Sequence, residues 1–270
     1  MLLLNGDCLD LLRELPDESI DLVFCDLPYG QTSCKWDCKI DMGKLWGELL
    51  RVKKLRTPLF FTTTTKFGVE LINSSPKNCP FRYDLVWVKS SPTGFLSAKR
   101  MPMRKHEMVY VFYEKLPFYD LSSHQHKFLR ERKTEWCEKN IPKKKYKYQP
   151  PLPVSIVKEE KSQISKPQEE DLYGASKGGT IGNVHGTNYD PPLPTTMLEI
   201  KSTRGKHSTE KPVALMEWIL KYYSKEGDVV LDPTMGSGST GVACQRMNRD
   251  FVGFEMDGEI FDMACQRLGG

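Results

Sequence analysis

Hydrophobic runs of about five to seven residues alternate, along the first 114 residues, with segments whose leucines recur at helical spacing. The runs are rich in β-branched and aromatic residues and predict strands, whereas the segments between them predict helices. The predicted strands are LLLN, SIDLVFC, PLFFTT, YDLVWVK and EMVYVFYE, and the predicted helices are CLDLLREL and MGKLWGELLRVKKL. This alternation is typical of a doubly wound α/β sheet.

The pattern stops at about residue 115 and resumes at about residue 206. The resumed part predicts a helix in PVALMEWILKYY, a strand in DVVLD, a helix in TGVACQRMN, a strand in FVGFE and a helix in GEIFDMACQRL. We therefore expect one α/β domain built from residues 1–114 and 205–270. We expect an insertion, residues 115–204, to be partly flexible, because it is rich in charge, Pro and Gly and has little apolar surface to bury.

The composition allows a sizeable core, since 39% of the 270 residues are hydrophobic. The formal net charge of +4 excludes a uniformly basic protein of the histone kind and an acidic solvating tail. The N-terminal run MLLLNGD is too short for an export signal or a membrane span. We expect a soluble, intracellular, cytoplasmic protein with no membrane partner.

Eight cysteines are scattered along the chain and predict free thiols in a reducing compartment. Cys34 and Cys38 form the one close pair, but no second Cys or His pair follows at the spacing of a zinc site. We therefore predict no metal.

A glycine-rich turn in residues 228–257 carries the strongest C-terminal signal. A buried strand ends at Asp232, the turn contains Gly236 and Gly238, and the next strand ends at Glu255. Glycines let the backbone approach a ligand, and a helix start offers free N–H groups. Glu255 follows Gly236 by 19 residues, the spacing at which an acid accepts hydrogen bonds from a ribose diol. Ser239, which opens the helix with the residue after it, has no neighbouring Lys, and this disfavours a triphosphate-binding P-loop.

A second constellation, SIDLVFCDLPYG, places an acid and an aromatic residue after a strand. The strand delivers Asp26 to its carboxyl end, where doubly wound folds bind ligands. Pro28 fixes its own φ angle and so directs the Leu27 carbonyl. Two acceptors and the face of Tyr29 suit an exocyclic amino group on a planar ring.

The motifs together resemble those of the β group of amino DNA methyltransferases, which methylate adenine N6 or cytosine N4. DLPY at 26–29 resembles the family's acidic-Pro-Pro-Tyr motif, with Leu27 in place of a proline, and DPTMGSGST at 232–240 resembles its S-adenosylmethionine loop. HSTEKP at 207–212 resembles the segment that closes over the methionine part of that cofactor. The resemblance implies a Rossmann-like S-adenosylmethionine-dependent methyltransferase fold, circularly permuted, with a target-recognition insertion. It implies seven strands, an antiparallel EMVYVFYE strand, and strands from both chain ends lying side by side.

The resemblance also implies roles for single residues. Asp7 would reach the cofactor's adenine, with Cys8 beside it, although Asp7 also suits a helix cap. Asp232 would bind the methionine amino group, although it also suits a turn before Pro233. Thr209, or the serine before it, suits a cap for the following helix. The complete predicted cofactor set is Asp7, Cys8, Asp26, His207, Thr209, Lys211, Asp232, Thr234, Gly236, Ser237, Gly238, Ser239, Thr240, Glu255 and Met256.

Charged residues are distributed unevenly along the chain, so the small net charge of +4 conceals one strongly basic stretch. Residues 99–149 contain 14 Lys and Arg against 6 Asp and Glu, with aromatic residues interleaved. Such a stretch suits phosphate contacts, although a solvated charged loop has the same composition. The predicted DNA-binding residues are Lys35, Trp36, Lys99, Arg100, Arg104, Lys105, Lys143, Lys144 and Lys145.

We therefore predict an S-adenosylmethionine-dependent DNA adenine-N6 methyltransferase acting on a flipped base in double-stranded DNA. Asp26, Leu27, Pro28 and Tyr29 are the predicted catalytic residues. By resemblance, Asp at position 26 favours adenine over cytosine N4. Cys25 precedes the motif and is interpreted as a buried strand cysteine, which argues against cytosine C5 chemistry. DNA cytosine-N4 methylation is the nearest alternative, and an RNA or protein-amide methyltransferase and a catalytically silent DNA-binding homologue are further ones. A homodimer and a cognate restriction endonuclease stay open as partners.

Overall fold

A computed structural model describes residues 1–29, 40–126, 189–202 and 210–269. The chain divides into two compact units, Met1–Leu121 with Thr195–Gly270, and Ser122–Pro194. The boundaries of the second unit lie seven to ten residues inside those predicted for the insertion.

The strands and helices that the structure describes include all of those predicted, together with four that were not predicted: the helix α3 and the short strands β6, β7 and β8. The strands are β1 (Leu2–Asn5), β2 (Leu22–Cys25), β3 (Leu59–Thr63), β4 (Phe81–Thr93), β5 (Arg104–Phe112), β6 (Gln125–His126), β7 (Tyr189–Asp190), β8 (Met197–Glu199), β9 (Val229–Asp232) and β10 (Asp250–Glu255). The helices are α1 (Cys8–Glu14), α2 (Met42–Val52), α3 (Thr65–Ser74), α4 (Val213–Tyr223), α5 (Ser239–Arg246) and α6 (Gly258–Leu268).

The first unit contains an eight-stranded sheet in the order β1-β10-β9-β2-β3-β5-β4-β8. β5 is antiparallel to β3 and β4, and the other pairings are parallel. The antiparallel strand and the pairing of β1 with β10, from the two ends of the chain, confirm the predicted arrangement. The predicted strand number was wrong, because the three-residue β8 adds an eighth strand beside β4.

Side chains of the central strands alternate between two buried layers. Leu22 and Phe24 of β2 pack in the layer formed with α4, α5 and α6. Val23 and Cys25 pack in the layer formed with α1, α2 and α3. Because both faces are covered, β2 is buried along its whole length, and this explains its uninterrupted hydrophobic run.

In the second unit, the described residues form one short antiparallel pair. Gln125 pairs with Asp190 and His126 with Tyr189. The Nδ1 atom of His124 lies 2.9 Å from the carbonyl oxygen of Pro191.

Candidate active site

A cavity of about 430 Å³ lies at the carboxyl ends of β1, β2, β9 and β10. Ligands bind at this edge in open α/β sheets. The predicted site residues that line it are Asp7, Cys8, Asp26, Pro28, Lys211, Asp232, Thr234, Gly236, Ser237, Ser239, Thr240, Glu255 and Met256. Leu27, Tyr29 and Gly238 are described but lie outside the lining.

The glycine turn after β9 has the backbone conformation that its sequence predicts. Gly236 and Gly238 have φ angles of 51° and 79°, in the left-handed region that other residues rarely adopt. Gly238 is the N-cap of α5. The N–H of Met235 donates to the Phe254 carbonyl over 2.8 Å. This bond fixes the turn beside the carboxyl end of β10.

Glu255 is tied to this turn. Its Oε2 accepts a hydrogen bond from the N–H of Gly236 at 3.1 Å, and its Oε1 accepts from the N–H of Asp257 at 2.9 Å. Burial raises the pKa of the Glu255 carboxyl, and the two backbone donors oppose that shift. The carboxylate is therefore fixed in orientation at the cavity wall.

Asp232 is a buried acid at the end of β9. Its Oδ2 accepts from the Thr240 hydroxyl at 2.6 Å, and its Oδ1 accepts from the N–H of Thr234 at 3.2 Å. Burial raises the pKa of Asp232 to about 7, with the carboxylates of Asp26 and Glu255 adding to the effect. The contact with Thr234 shows that Asp232 serves as a turn former whatever ligand it binds.

At the carboxyl end of β1, Asp7 caps α1. Its side chain accepts from the N–H of Leu9 at 2.7 Å, so the capping interpretation is confirmed. Burial raises the pKa of the adjacent Cys8 thiol to about 12, which keeps it neutral.

Asp26 lies directly after β2 and is held by three side chains. The Thr62 hydroxyl of β3 donates to Oδ1, and the Tyr29 hydroxyl lies 3.4 Å from the same oxygen. The Nζ atom of Lys211 lies 2.6 Å from Oδ2. Leu27, the next residue, is buried. Sequence reasoning missed Thr62, whose position opposite Asp26 follows only from the pairing of β2 with β3.

Tyr29 packs its ring against Phe67 of α3, with ring centroids 5.1 Å apart. Burial, reinforced by the nearby Asp26 carboxylate, raises the pKa of the Tyr29 phenol, so the hydroxyl stays protonated. The predicted stacking of Tyr29 on a target base stays a prediction.

A second carboxylate, Glu107 of β5, completes the charged cluster. Its Oε2 lies 3.7 Å from Lys211 Nζ, and its other oxygen pairs with Lys89. The Asp26 and Glu107 carboxylates raise the pKa of Lys211 against the effect of its burial, so the ammonium stays charged. Lys211 was predicted to bind the cofactor. Its contacts to Asp26 and Glu107 could not be predicted from the HSTEKP motif, because they join distant parts of the chain.

Glu210 and Arg267 form a further pair that sequence reasoning missed. An Arg267 nitrogen lies 2.7 Å from Glu210 Oε1, and another donates to the Ser237 carbonyl at 3.1 Å. Arg267 therefore joins α6 both to the segment before α4, through Glu210, and to the glycine turn, through Ser237. No motif marks Arg267, which looks like an ordinary basic residue in the last turn of a helix.

The remaining lining residues were not predicted one by one. They are Gly6, Leu9, Phe24, Ile40, Asp41, Glu210, Met216, Pro233, Met235 and Ile260. Pro233 and Met235 lie within the DPTMGSGST motif and Glu210 within HSTEKP, whereas most of the others have the appearance of core or turn residues in the sequence.

Cys25 is fully buried in β2, as its sequence interpretation predicted. Burial raises the pKa of its thiol well above the ordinary value, and neighbouring carboxylates act in the same direction. Within the described ranges, no group of three or more His, Cys, Asp or Glu is arranged to hold a metal ion.

The family is decided by a match of residues 20–266 to the DNA methylase model N6_N4_Mtase. The chain belongs to this DNA methylase family. It is 26% identical over 98% of its length to the type II methyltransferase M.HinfI of Haemophilus influenzae, and the match covers 67% of that protein. It is 23% identical over 99% of its length to the type II methyltransferase M2.LlaDCHI of Lactococcus lactis subsp. cremoris, of which it covers 88%.

Solved structures show the DNA methylase fold at low sequence identity. The M1.HpyAVI complex with S-adenosylmethionine has a TM-score of 0.58 at 20% identity, with 99% of each chain covered. The cytosine-N4-specific PvuII methyltransferase has a TM-score of 0.60 at 15% identity, with 98% of this chain and 85% of that chain covered.

On this DNA methylase, four of the predicted DNA-binding residues lie around the hairpin that joins β4 to β5. Lys99, Arg100, Arg104 and Lys105 are all exposed. The hairpin leaves the sheet at the carboxyl end of β4, which is the edge that carries the cavity.

Other predicted residues lie outside the described part of the chain. They are Lys35, Trp36, Lys143, Lys144, Lys145, His207 and Thr209. Within the described part, the N-cap of α4 is Pro212, which makes no side-chain capping hydrogen bond. None of the described helices is both long and apolar enough to span a bilayer.

Proposed function

We propose that this DNA methylase transfers a methyl group from S-adenosylmethionine to the N6 amino group of a flipped adenine in double-stranded DNA. The observation that carries the proposal is the Asp26 carboxylate, which lines the cavity at the end of β2. The same cavity is lined by Glu255 and the glycine turn. One volume therefore holds the acceptor for an amino group beside the residues suited to a nucleoside.

The wall of the cavity fits S-adenosylmethionine in size and in polar groups. A volume of about 430 Å³ lies in the range of small-molecule sites. The Oγ1 atom of Thr234 is buried in this wall and has no hydrogen-bond partner among the described residues, so it is a polar group that a ligand could satisfy.

We assign the cofactor contacts by matching each residue's geometry to a part of the molecule. Glu255 would accept hydrogen bonds from the ribose hydroxyls, since its carboxylate is already oriented by two backbone donors. Asp232 would bind the methionine amino group, and Asp7 with Cys8 would lie near the adenine. His207, Thr209 and Lys211 would contribute from the neighbouring segment, with the remaining predicted residues of the glycine turn completing the cradle.

The chain's own contribution to the reaction is to position the target amino group. Asp26 and the Leu27 carbonyl would accept its two N–H bonds, which directs the nitrogen lone pair away from the ring plane. Pro28 would hold the Leu27 carbonyl in direction, and Tyr29 would stack on the base. When bound, S-adenosylmethionine supplies an electrophilic methyl group on a sulfonium centre.

The proposed reaction is a direct transfer that needs no covalent enzyme intermediate. Transfer would give the amino nitrogen a bond to the methyl carbon in place of that carbon's bond to sulfur, and the nitrogen would release one proton to water. Positioning and electrostatics therefore carry the rate enhancement.

For DNA binding, we propose that the β4–β5 hairpin contacts phosphates near the cavity. The exposed charges of Lys99, Arg100, Arg104 and Lys105 support this assignment. We also propose that residues 115–204 form the target-recognition insertion, with Lys143, Lys144 and Lys145 on phosphates, and that Lys35 and Trp36 help to hold the opened duplex.

The direct test uses unmethylated plasmid DNA, S-adenosylmethionine and mass spectrometry of the digested nucleosides. We expect N6-methyladenine with the unmodified protein and none with Asp26→Ala. N4-methylcytosine alone would overturn the choice of adenine. DNA binding without any methylated nucleoside would instead indicate a catalytically silent homologue. Long-read sequencing of the same DNA gives the recognition sequence.

A further inference from the structure

Lys211 occupies the oxygen that the proposed reaction needs. Its Nζ atom lies 2.6 Å from Asp26 Oδ2, while Asp26 Oδ1 accepts from the Thr62 hydroxyl. Both carboxylate oxygens are therefore engaged within the protein. A target amino group that approaches Oδ2 has to share that oxygen with the Lys211 ammonium, which lies on the same acceptor.

The carboxylate of Glu107 is a second group with which the Lys211 ammonium can form a hydrogen bond. Its Oε2 is buried, has no hydrogen-bond partner among the described residues, and lies 3.7 Å from Lys211 Nζ. A buried carboxylate oxygen without a hydrogen bond is unfavourable, so a small shift of the ammonium toward Glu107 would satisfy it.

Strand order explains why the two acids flank one lysine. β3 lies between β2, which ends beside Asp26, and β5, which carries Glu107. Met108 pairs with Thr63 at the end of β3, so Glu107 extends one residue past that strand at the cavity edge. Lys211 reaches this point from the segment before α4 and is itself mostly buried.

We propose that Lys211 and Glu107 are a pair of positioning residues, in which the ammonium leaves Asp26 for Glu107 when the target amino group binds. This inference rests on the proposed function, because it concerns the same Asp26. The exchange replaces one charge-assisted hydrogen bond with another, so the buried ammonium is never left without an anion. Without Glu107, Lys211 would stay on Asp26 and obstruct the target.

The first test is a double-mutant cycle on single-turnover methyl transfer to unmethylated plasmid DNA. Glu107→Gln keeps the shape and removes the charge, and we expect it to slow transfer at least tenfold while the dissociation constant for S-adenosylmethionine changes less than threefold. In a Lys211→Met background, the same substitution should change the rate less than twofold, because no ammonium remains to be moved. Equal slowing in both backgrounds would overturn the proposal.

The second test needs no activity and examines the resting contact. Urea denaturation of Asp26→Asn, Lys211→Met and the double variant should show coupling between the two positions. The unfolding equilibrium constant of the double variant should differ at least tenfold from the value expected if the two single effects were independent. Additive effects would show that Lys211 does not sit on Asp26, and this would refute the exchange. An unmodified protein that methylates no DNA would instead contradict the proposed function, and the denaturation cycle would still decide the contact.

An ion pair away from the cavity, between a buried lysine and a partly buried glutamate, supplies the matched control. Lys53 Nζ lies 3.1 Å from Glu114 Oε2, and Lys53 is almost completely buried. Glu114→Gln should lower stability and leave the single-turnover rate within twofold of the unmodified protein. A comparable loss of rate in this control would mean that the Glu107 effect reports general destabilisation, and the proposal would fall.

Discussion

The hydroxyl of Thr240 donates a hydrogen bond to Oδ2 of Asp232 over 2.6 Å, and both side chains are buried in the cavity wall. The bond favours the carboxylate, whereas burial favours the neutral acid and has the larger effect. The nearby carboxylates of Asp26 and Glu255 also oppose ionisation. Asp232 therefore titrates near neutrality, unlike an exposed aspartate.

This raised pKa predicts a loss of stability as pH rises. An acid that titrates at about 7 when folded and near 4 when unfolded binds more protons in the folded state between those values. The favourable contribution is complete below about pH 4, and it disappears as pH rises through 7, with a slope of up to roughly 1.4 kcal/mol per pH unit. Urea denaturation from pH 4 to 8 gives the free energy of unfolding of the unmodified protein and of Asp232→Asn, and the difference between the two measures this contribution. A difference that stays constant with pH would refute the shifted pKa.

The left-handed conformation at Gly238 predicts a destabilising alanine. A Cβ there would lie 3.1 Å from Leu268 Cδ1, and the positive φ adds strain of about 1–2 kcal/mol. We expect Gly238→Ala to lower the free energy of unfolding by at least about that amount. Gly47→Ala is the control, since Gly47 lies in α2 with open space around it, and it should be neutral or stabilising by roughly 0.5–1 kcal/mol. Equal effects of both substitutions would contradict the conformational argument.

Removing Arg267 should loosen the glycine turn. Arg267→Met eliminates the contacts to Glu210 and the Ser237 carbonyl, and we expect about a tenfold weaker affinity for S-adenosylmethionine, or about 1.4 kcal/mol. Isothermal titration calorimetry measures this change. Arg246→Met breaks an exposed pair with Glu217 outside the cavity and should leave affinity unchanged. Weakening by both variants would show that the turn does not depend on Arg267.

Loss of Asp26 should separate catalysis from cofactor binding. We expect Asp26→Ala to reduce transfer of tritiated methyl groups to DNA by on the order of a thousandfold, since it removes the proposed acceptor for the amino group. Affinity for S-adenosylmethionine should stay within threefold. Asp26→Asn keeps the shape and excludes a packing defect as the cause. Parallel loss of both properties would make Asp26 a cofactor residue and remove its proposed role.

The basic hairpin predicts a salt-dependent loss of DNA affinity. Each of Lys99→Gln, Arg100→Gln, Arg104→Gln and Lys105→Gln should reduce the slope of log affinity against log salt by about 0.9 if one phosphate contact is lost. Fluorescence anisotropy with a duplex of random sequence measures the slope. Lys77→Gln is the control, because Lys77 is exposed and precedes β4, at the opposite edge of the sheet. Unchanged slopes in all four variants would exclude the hairpin from the interface.

Much of the fold and half of the site could be predicted because both depend on local pattern. A strand buried on both faces has a continuous hydrophobic run, and an acid at its end marks the edge of the sheet. Asp26, Asp232 and Glu255 were found in this way. The positive φ angles of Gly236 and Gly238 follow from the same local logic.

The remainder depends on contacts between distant parts of the chain. Lys211 and Asp26 are 185 residues apart, and their pairing requires the strand order. Glu107 is the first residue of the predicted strand EMVYVFYE, although β5 begins at Arg104, and nothing in the sequence indicates its partner across the sheet. The helix α3 was missed because it begins at the last of four consecutive threonines, which favour extended backbone. The strand β8 was missed because it has only three residues.

The cavity takes one wall from residues 6–41 and the other from residues 210–260. During synthesis the first wall leaves the ribosome some 170 residues before the second begins to emerge. The nascent chain therefore lacks part of the second wall until β10 has been made and paired with β1. A chain that stops before Glu255 contains the complete DLPY motif but an incomplete cavity lining.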